Sequence, residues 1–320
     1  VGTGNIFKET TDLLDNNRTL INAMTRKWLD GLKVAEIRAS NDGKLFHEPT
    51  QLRVYLSLTG IKEPSPIFSL RHCGQEVGTI KIVKGIPVLR LTKAHKAKND
   101  KYFGCLDLDA GQYGWNSPEA RKFRRHFAKK PVGKTGVPEH RIESALIKEM
   151  ESGSRNKLSG KCGLIQPVKL AGCPLQIPLP ISASSGKPVF KTRGAGHVDI
   201  LARRKSGPRS WLSICELKAP GKVADAVAQA YIYTLTVRDL LRSAGGNEWY
   251  ELFKFTTPVP DALELEAVVA VTEDVASRIA EQYQDLKAHN PLQIGNDRIT
   301  FWIATYKDTP KFQFVDFRQL

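Results

Sequence analysis

Cysteine is scarce in this 320-residue chain, and what there is does not pair up. Cys73, Cys105, Cys162, Cys173 and Cys215 are odd in number and include no Cys-x-x-Cys. That argues against a disulfide framework or a structural zinc, and for a reducing, cytoplasmic setting. No matched Cys/His ligand set supports a zinc hydrolase either. Long apolar runs are also missing. None approaches the roughly 18–20 residues that span a bilayer, and no signal peptide is visible, so no membrane partner is expected. Repeats and low-complexity tracts are absent, as is any helix-turn-helix or zinc-finger pattern that would name a sequence reader. Acidic residues fall short of basic ones, 33 Asp+Glu against 48 Lys+Arg, for a net charge of +15. Such a balance points to a polyanionic partner, nucleic acid ahead of an anionic membrane surface.

What is there suffices for a folded core: 41% of residues are hydrophobic, enough for one large or two ordinary domains. The chain opens on Val1 without a methionine, so a preceding segment is expected. Residues 1–40 carry Leu13, Leu14, Leu20, Ile21, Met24 and Trp28 near helical spacing. From about residue 50 the period changes to two. Ile67–Cys73, Val77–Val83 and Ile86–Thr92 read as short strands, with a tight turn at Lys84-Gly85. A basic loop over 93–101 and a helix started by Ser117-Pro118-Glu119 follow.

Residues 1–130 hold 23 basic against 13 acidic residues, most of the excess. We read this part as a smaller α+β domain that grips phosphates with Lys93, Lys96, Lys98, Arg121, Arg124 and Arg125. The plainer alternative is that exposed helices and loops are usually charged. A Pro/Gly-rich linker at 130–136 does not satisfy the Gly-x-x-x-x-Gly-Lys-Ser/Thr phosphate-loop pattern. It leads into a second domain, 131–320.

Two alternating runs organise that second part. Residues 196–203 place Val198, Ile200 and Ala202 on alternate positions, and Trp211–Lys218 ends in Glu216-Leu217-Lys218. The turn-rich connector 205–210 between them suits a hairpin. A turn centred on Gly207 and Pro208 sets Asp199 opposite Glu216, with Cβ atoms roughly 4.5–5.5 Å apart. Like charges so placed need neutralising, by Lys218 or by a divalent cation such as Mg2+, which is commonly held by one or two carboxylates plus substrate phosphates. A bare Asp/Glu-x-Lys triplet is a weak signal, and the chain holds two others, Asp42-Gly43-Lys44 and Asp285-Leu286-Lys287. Only Glu216-Leu217-Lys218 ends an apolar strand, follows a second strand carrying Asp, and precedes a strong helix. A surface cross-strand pair is the bland alternative.

Upstream, Pro138 opens a helix with Ile142, Ala145, Leu146 and Met150 as its apolar stripe and Glu143 beside it, either reaching the cation or merely solvated. Residues 162–193 are Pro- and Gly-rich with short β-like pieces. Downstream, a helix over about 222–242 lines Asp225, Gln229 and Tyr233 on one face. Gln229 could orient a phosphate or the attacking water, and Tyr233 either packs or meets the nucleic-acid backbone. His197 shares the Asp199 face and could contact a phosphate or a water, or serve as an outer hydrogen-bonder. Strands over Leu265–Val271, Phe301–Tyr306 and Phe312–Phe317 and a helix over 273–288 complete an α/β sheet covered by helices.

Asp199, then Glu216-x-Lys218, then Gln229-Ala230-Tyr231-Ile232-Tyr233 on the next helix, resembles the PD-(D/E)xK nuclease superfamily, in its RecB-like Gln-x-x-x-Tyr form. The resemblance covers about residues 138–320, and Glu143 fits the acid that the family carries on a helix before the sheet. No proline precedes Asp199. What the resemblance implies is a restriction-endonuclease-like mixed central sheet flanked by helices. It also implies Mg2+ or Mn2+ held by Asp199, Glu216 and the Leu217 carbonyl with support from Glu143. Lys218 would position the attacking water or stabilise developing charge. The expected activity is metal-dependent phosphodiester hydrolysis, with DNA favoured, in restriction, phage defence or repair. A homodimer or partner subunits remain open. Two rivals stand beside it: a catalytically silent nuclease fold that binds DNA or assembles with partners, and a sugar- or nucleotide-directed hydrolase on an unrelated α/β fold.

Overall fold

The computed structural model describes residues 3–42, 52–59, 65–129, 138–151, 163–191, 196–220, 225–282, 290–307 and 313–320. The 130–136 linker, Cys162, the 222–224 start of the expected 222–242 helix and the 283–288 end of another lie outside them. Two helices, α1 (Thr3–Asn16) and α2 (Arg18–Asp42), precede β1 (Leu52–Thr59), β2 (Ser65–His72), β3 (Gln75–Val83) and β4 (Ile86–Leu91). Then come α3 (Lys93–Phe103), β5 (Gly111–Gly114), α4 (Pro118–Ala128) and α5 (Pro138–Glu151). Six short strands follow: β6 (Leu164–Pro167), β7 (Lys169–Leu170), β8 (Cys173–Gln176), β9 (Pro178–Leu179), β10 (Ile181–Ser182) and β11 (Val189–Phe190). After β12 (Gly196–His197) come the longer β13 (Ile200–Ser206) and β14 (Arg209–Leu217), then α6 (Ala226–Arg242) and α7 (Gly246–Leu252). The chain closes with β15 (Glu264–Thr272), α8 (Glu273–Gln282), β16 (Leu292–Ile294), β17 (Asp297–Lys307) and β18 (Gln313–Gln319).

The period-two pattern builds the later sheet, ordered β16-β17-β15-β14-β13-β6 with β18 also on β17. Its centre, β14-β15-β17, is parallel and its flanks are antiparallel. Strands buried on both faces read as continuous apolar runs, which is why Ala267–Val271 shows no alternation; Glu266 just before it is buried on Arg204 and Ser213. One set of side chains, Ile200, Ala202, Cys215, Leu217, Val268 and Ala270, packs with Ile142, Leu146, Ile147 and Met150 of α5. The alternate set, Leu201, Leu212, Ile214, Ala267 and Val269, packs with residues of α6 and with Val275, Ala276 and Ile279 of α8. The molecule is thus α/β, with helices on both faces of a mixed sheet.

The earlier sheet, β5-β4-β3-β2-β1-β8-β7, is largely antiparallel, but β1 pairs in parallel with β8 from beyond residue 170. One apolar core also runs from Ile6 and Trp28 through Phe123 and Leu175 to Leu240 and Ile303, across position 130.

Two local readings are corrected. The basic segment 93–101 is helix, not loop: Thr92, expected as a strand end, is an N-cap whose hydroxyl accepts the His95 N–H while His95 Nδ1 accepts the Thr92 N–H. The run 196–203 is two strands, not one. Gly196-His197 leaves the β13 line and pairs with Leu179-Pro178 of β9, so the chain bends at Val198-Asp199. Gly196 is required there, because a Cβ would lie 2.0 Å from the Ile181 carbonyl oxygen.

Candidate active site

The β13–β14 hairpin has the register expected from its turn: Ser206 faces Arg209, and the ladder closes at Ile200 opposite Cys215. It stops one pair short of 199 and 216. Because the chain bends there, Asp199 does not pair through its backbone. Its Oδ2 accepts the Leu217 N–H at 2.7 Å, doing with a side chain what the next ladder bond would have done. In an extended strand the N–H and C=O of one residue point to the same edge. The Leu217 carbonyl therefore looks toward the vacated edge beside Asp199. Lys218 points its own backbone the other way, donating its N–H to the Ala270 carbonyl, while its carbonyl accepts the Tyr306 hydroxyl at 2.6 Å. All of this lies at the carboxyl ends of the parallel strands, where open α/β sheets place their ligands.

Glu216 shares a face with Ile214, toward α6, and is buried at 5% exposure. Its Oε1 accepts Lys218 Nζ at 2.6 Å, so residues two apart on the strand do share a face. Its Oε2 is buried without a hydrogen-bond partner among the described residues. Burial pushes the Glu216 carboxyl above its ordinary range, the charge of Asp199 pushes it further, and Lys218 only partly offsets them. Asp199, half-buried, is also raised, by burial first, against the Leu217 N–H and Lys218. Glu139 adds to the rise in both.

Helix α5 brings Glu143 to the same end, at 5% exposure. Arg71 Nη1 donates to both of its oxygens at 3.1 Å, and Gln176 Nε2 donates to Oε1 at 2.8 Å. Burial raises the Glu143 carboxyl to about 7, with Arg71 pulling down and Asp199 pushing up. Gln229, on α6, is buried with Oε1 unpartnered among the described residues. Tyr233, one turn on, is a core side chain at 5% exposure whose hydroxyl oxygen accepts the Ala183 N–H at 3.4 Å, which is the packing alternative. His197 is exposed on the short β12.

Of the six basic residues expected to grip phosphates, Lys93, Lys98, Arg121 and Arg125 are exposed on α3 and α4. Lys96 is spent on the Leu106 carbonyl and on Asp100. Arg124 stacks over the Trp115 ring, 4.2 Å from its centroid, and donates to the Trp115 carbonyl.

Three residues were missed in the sequence. Arg71 and Gln176 lie far from the motif in the chain and carry no local signal. Glu139 was legible in principle, because it stands four residues before Glu143 on the same helix; its Oε1 accepts the Ala219 N–H at 3.5 Å.

Among the described residues no three His, Cys, Asp or Glu side chains stand together as a ready metal cluster. The fit to a cation rests on fewer donors: two crowded carboxylates, one oxygen of which is buried and unpartnered, and a strand-end carbonyl. These are hard oxygen ligands of the kind Mg2+ and Mn2+ take. Among the described residues no helix is long and apolar enough to cross a membrane. No protein-family model, no curated protein and no solved structure matches this chain.

Proposed function

We propose that this protein is a PD-(D/E)xK-type nuclease that hydrolyses phosphodiester bonds, in DNA ahead of RNA, with Mg2+ or Mn2+. The observation that carries this reading is the buried Glu216, crowded by Asp199, with one oxygen on Lys218 and the other unpartnered. A buried pair of acids is costly to the fold, and perturbed carboxyls grouped at a strand end are candidates for function.

In this reading Asp199, Glu216 and the Leu217 carbonyl hold the metal. When bound, the metal supplies Lewis-acid stabilisation of the phosphate and a water of lowered pKa. Lys218 is anchored on Glu216, which leaves its remaining donors to orient the attacking water or meet the charge that develops on phosphate oxygen. Gln229 offers an amide from the helix on the same side. Glu143 is held in place to accept a hydrogen bond from the water shell. The exposed cations of α3 and α4 supply sequence-independent grip on the backbone.

The test is incubation of the full chain with supercoiled plasmid in Mg2+, Mn2+ or EDTA, beside Asp199→Ala and Lys218→Ala. Metal-dependent nicking or linearisation, lost in both variants while they stay folded and still retain DNA, is the expected result. Salt-sensitive retention of plasmid, linear and single-stranded DNA without cleavage of any would instead favour a silent DNA-binding module.

A further inference from the structure

The residue that grips Glu143 comes from the other sheet. Arg71 lies on β2, and all three of its guanidinium nitrogens are engaged. Nη1 forks across both Glu143 oxygens, Nη2 donates to Gln176 Oε1 at 2.6 Å, and Nε reaches Ser69 Oγ at 3.5 Å. The guanidinium lies over the Tyr55 ring of β1, 4.2 Å from its centroid. Gln176 closes the triangle by donating its amide to Glu143 Oε1 at 2.8 Å.

Two features fix this arrangement to the backbone. The parallel pairing of β1 with β8 sets Gln176 opposite Ser57. The turn after β2 is seated on α5, where Gly74, at φ +82°, leaves no room for a Cβ, which would lie 1.7 Å from the His140 carbonyl oxygen. Glu143 Oε2 receives only the shared Arg71 hydrogen bond among the described residues, so acceptor capacity remains on the oxygen that Gln176 leaves alone.

We propose that Arg71 is a positioning residue of the candidate active site, holding Glu143 and Gln176 in their working orientation, so that the N-terminal sheet is a working part of the nuclease centre. This rests on the nuclease reading above. A planar guanidinium suits the task, since its Nη1 and Nη2 reach Glu143 and Gln176 from one rigid plane, where a lysine would supply a single point charge.

The test uses the full chain and supercoiled plasmid with Mn2+. Wild type, Arg71→Ala, Arg71→Lys, Glu143→Gln and the Arg71→Ala/Glu143→Gln double variant are compared for kcat, KM and thermal midpoint. Arg71→Ala should lower kcat by about tenfold or more with KM within about twofold, the signature of lost organisation in the reacting complex and not of lost DNA binding. Millimolar guanidinium should restore part of that rate, and Arg71→Ala should add little to Glu143→Gln, because the two act as one unit. Where Arg71→Ala does not fold, Arg71→Lys carries the test: it should fold, keep KM and remain slow. Folded Arg71→Ala or Arg71→Lys cutting at the wild-type rate overturns the role. So does a loss that guanidinium cannot restore and that adds in full to Glu143→Gln. Wild type that cuts nothing, with a midpoint indifferent to Mn2+, removes the nuclease reading and this role together.

Discussion

At the scale of single residues, Asp199 and Glu216 work against the stability of the fold that holds them. Both carboxyls titrate above their ordinary range, by burial first, and by their mutual charge in the case of Glu216. In the unfolded chain they titrate near 4. Between that value and their raised ones, the folded protein holds protons that the unfolded chain has released. The stability they contribute is therefore full at low pH and is lost as pH rises toward and through neutrality. The metal-free thermal midpoint should accordingly fall from about pH 5 to about pH 8, and fall less in Asp199→Asn. That substitution keeps an acceptor for the Leu217 N–H and removes one charge, so it should stabilise the metal-free protein at pH 8 by about 1–2 kcal/mol. Urea unfolding measures it, and a variant less stable than wild type at that pH would contradict the account. Glu216 was legible because strand alternation and one turn fix the register of its strand, whereas the bend that takes Asp199 off the ladder was not. Arg71 and Gln176 were not, because what makes them matter is a tertiary pairing between β1 and β8 that no local pattern announces.

At the scale of elements, the basic region divides into cations that are free to meet phosphate and cations that hold the structure. Lys93 and Lys98 on α3 and Arg121 and Arg125 on α4 are exposed, whereas Arg124 is stacked on Trp115. Replacing the four exposed residues by Gln should weaken DNA retention and flatten its log–log salt dependence by up to about 4, with little change in thermal midpoint. Arg124→Ala should instead cost about 1–2 kcal/mol of stability through lost packing and a lost hydrogen bond. Filter binding across a salt series and thermal unfolding separate the two; an unchanged salt slope in the four-residue variant would rule out this surface as the DNA grip. The helical nature of α3 escaped the sequence reading because Thr92 ends an apolar alternating run and so passed for a strand residue. Its cap partner, His95, is not an acid or amide of the usual kind. The hidden bend before Asp199 had a similar cause, since the partner of β12 is β9, not the hairpin strand beside it.

At the scale of the molecule, a shared apolar core and the β1–β8 seam join the two sheets, so they are expected to unfold as one cooperative unit. Calorimetry of the full chain should give a single transition with matching calorimetric and van't Hoff enthalpies, and residues 131–320 expressed alone should fail to unfold cooperatively. Two separated transitions would show that the sheets fold independently. The later α/β sheet and its flanking helices were readable from apolar runs, helix starts and turn residues, though not the parallel pairing of its centre. The seam was not, because the two-residue pairing of Leu56 and Ser57 with Leu175 and Gln176 joins segments more than a hundred residues apart. That seam has a consequence for synthesis. A ribosome delivers β1 long before β8, and α1 long before the α6 helix it packs against. Emerging before β8 and α6, these elements therefore carry an open sheet edge and uncovered helix faces, surfaces that a nascent chain must keep from sticking until later segments arrive. Tyr306, whose hydroxyl secures the Lys218 carbonyl, leaves the tunnel 88 residues after it. The site is thus completed only after segments well beyond its Glu216-Leu217-Lys218 motif have emerged.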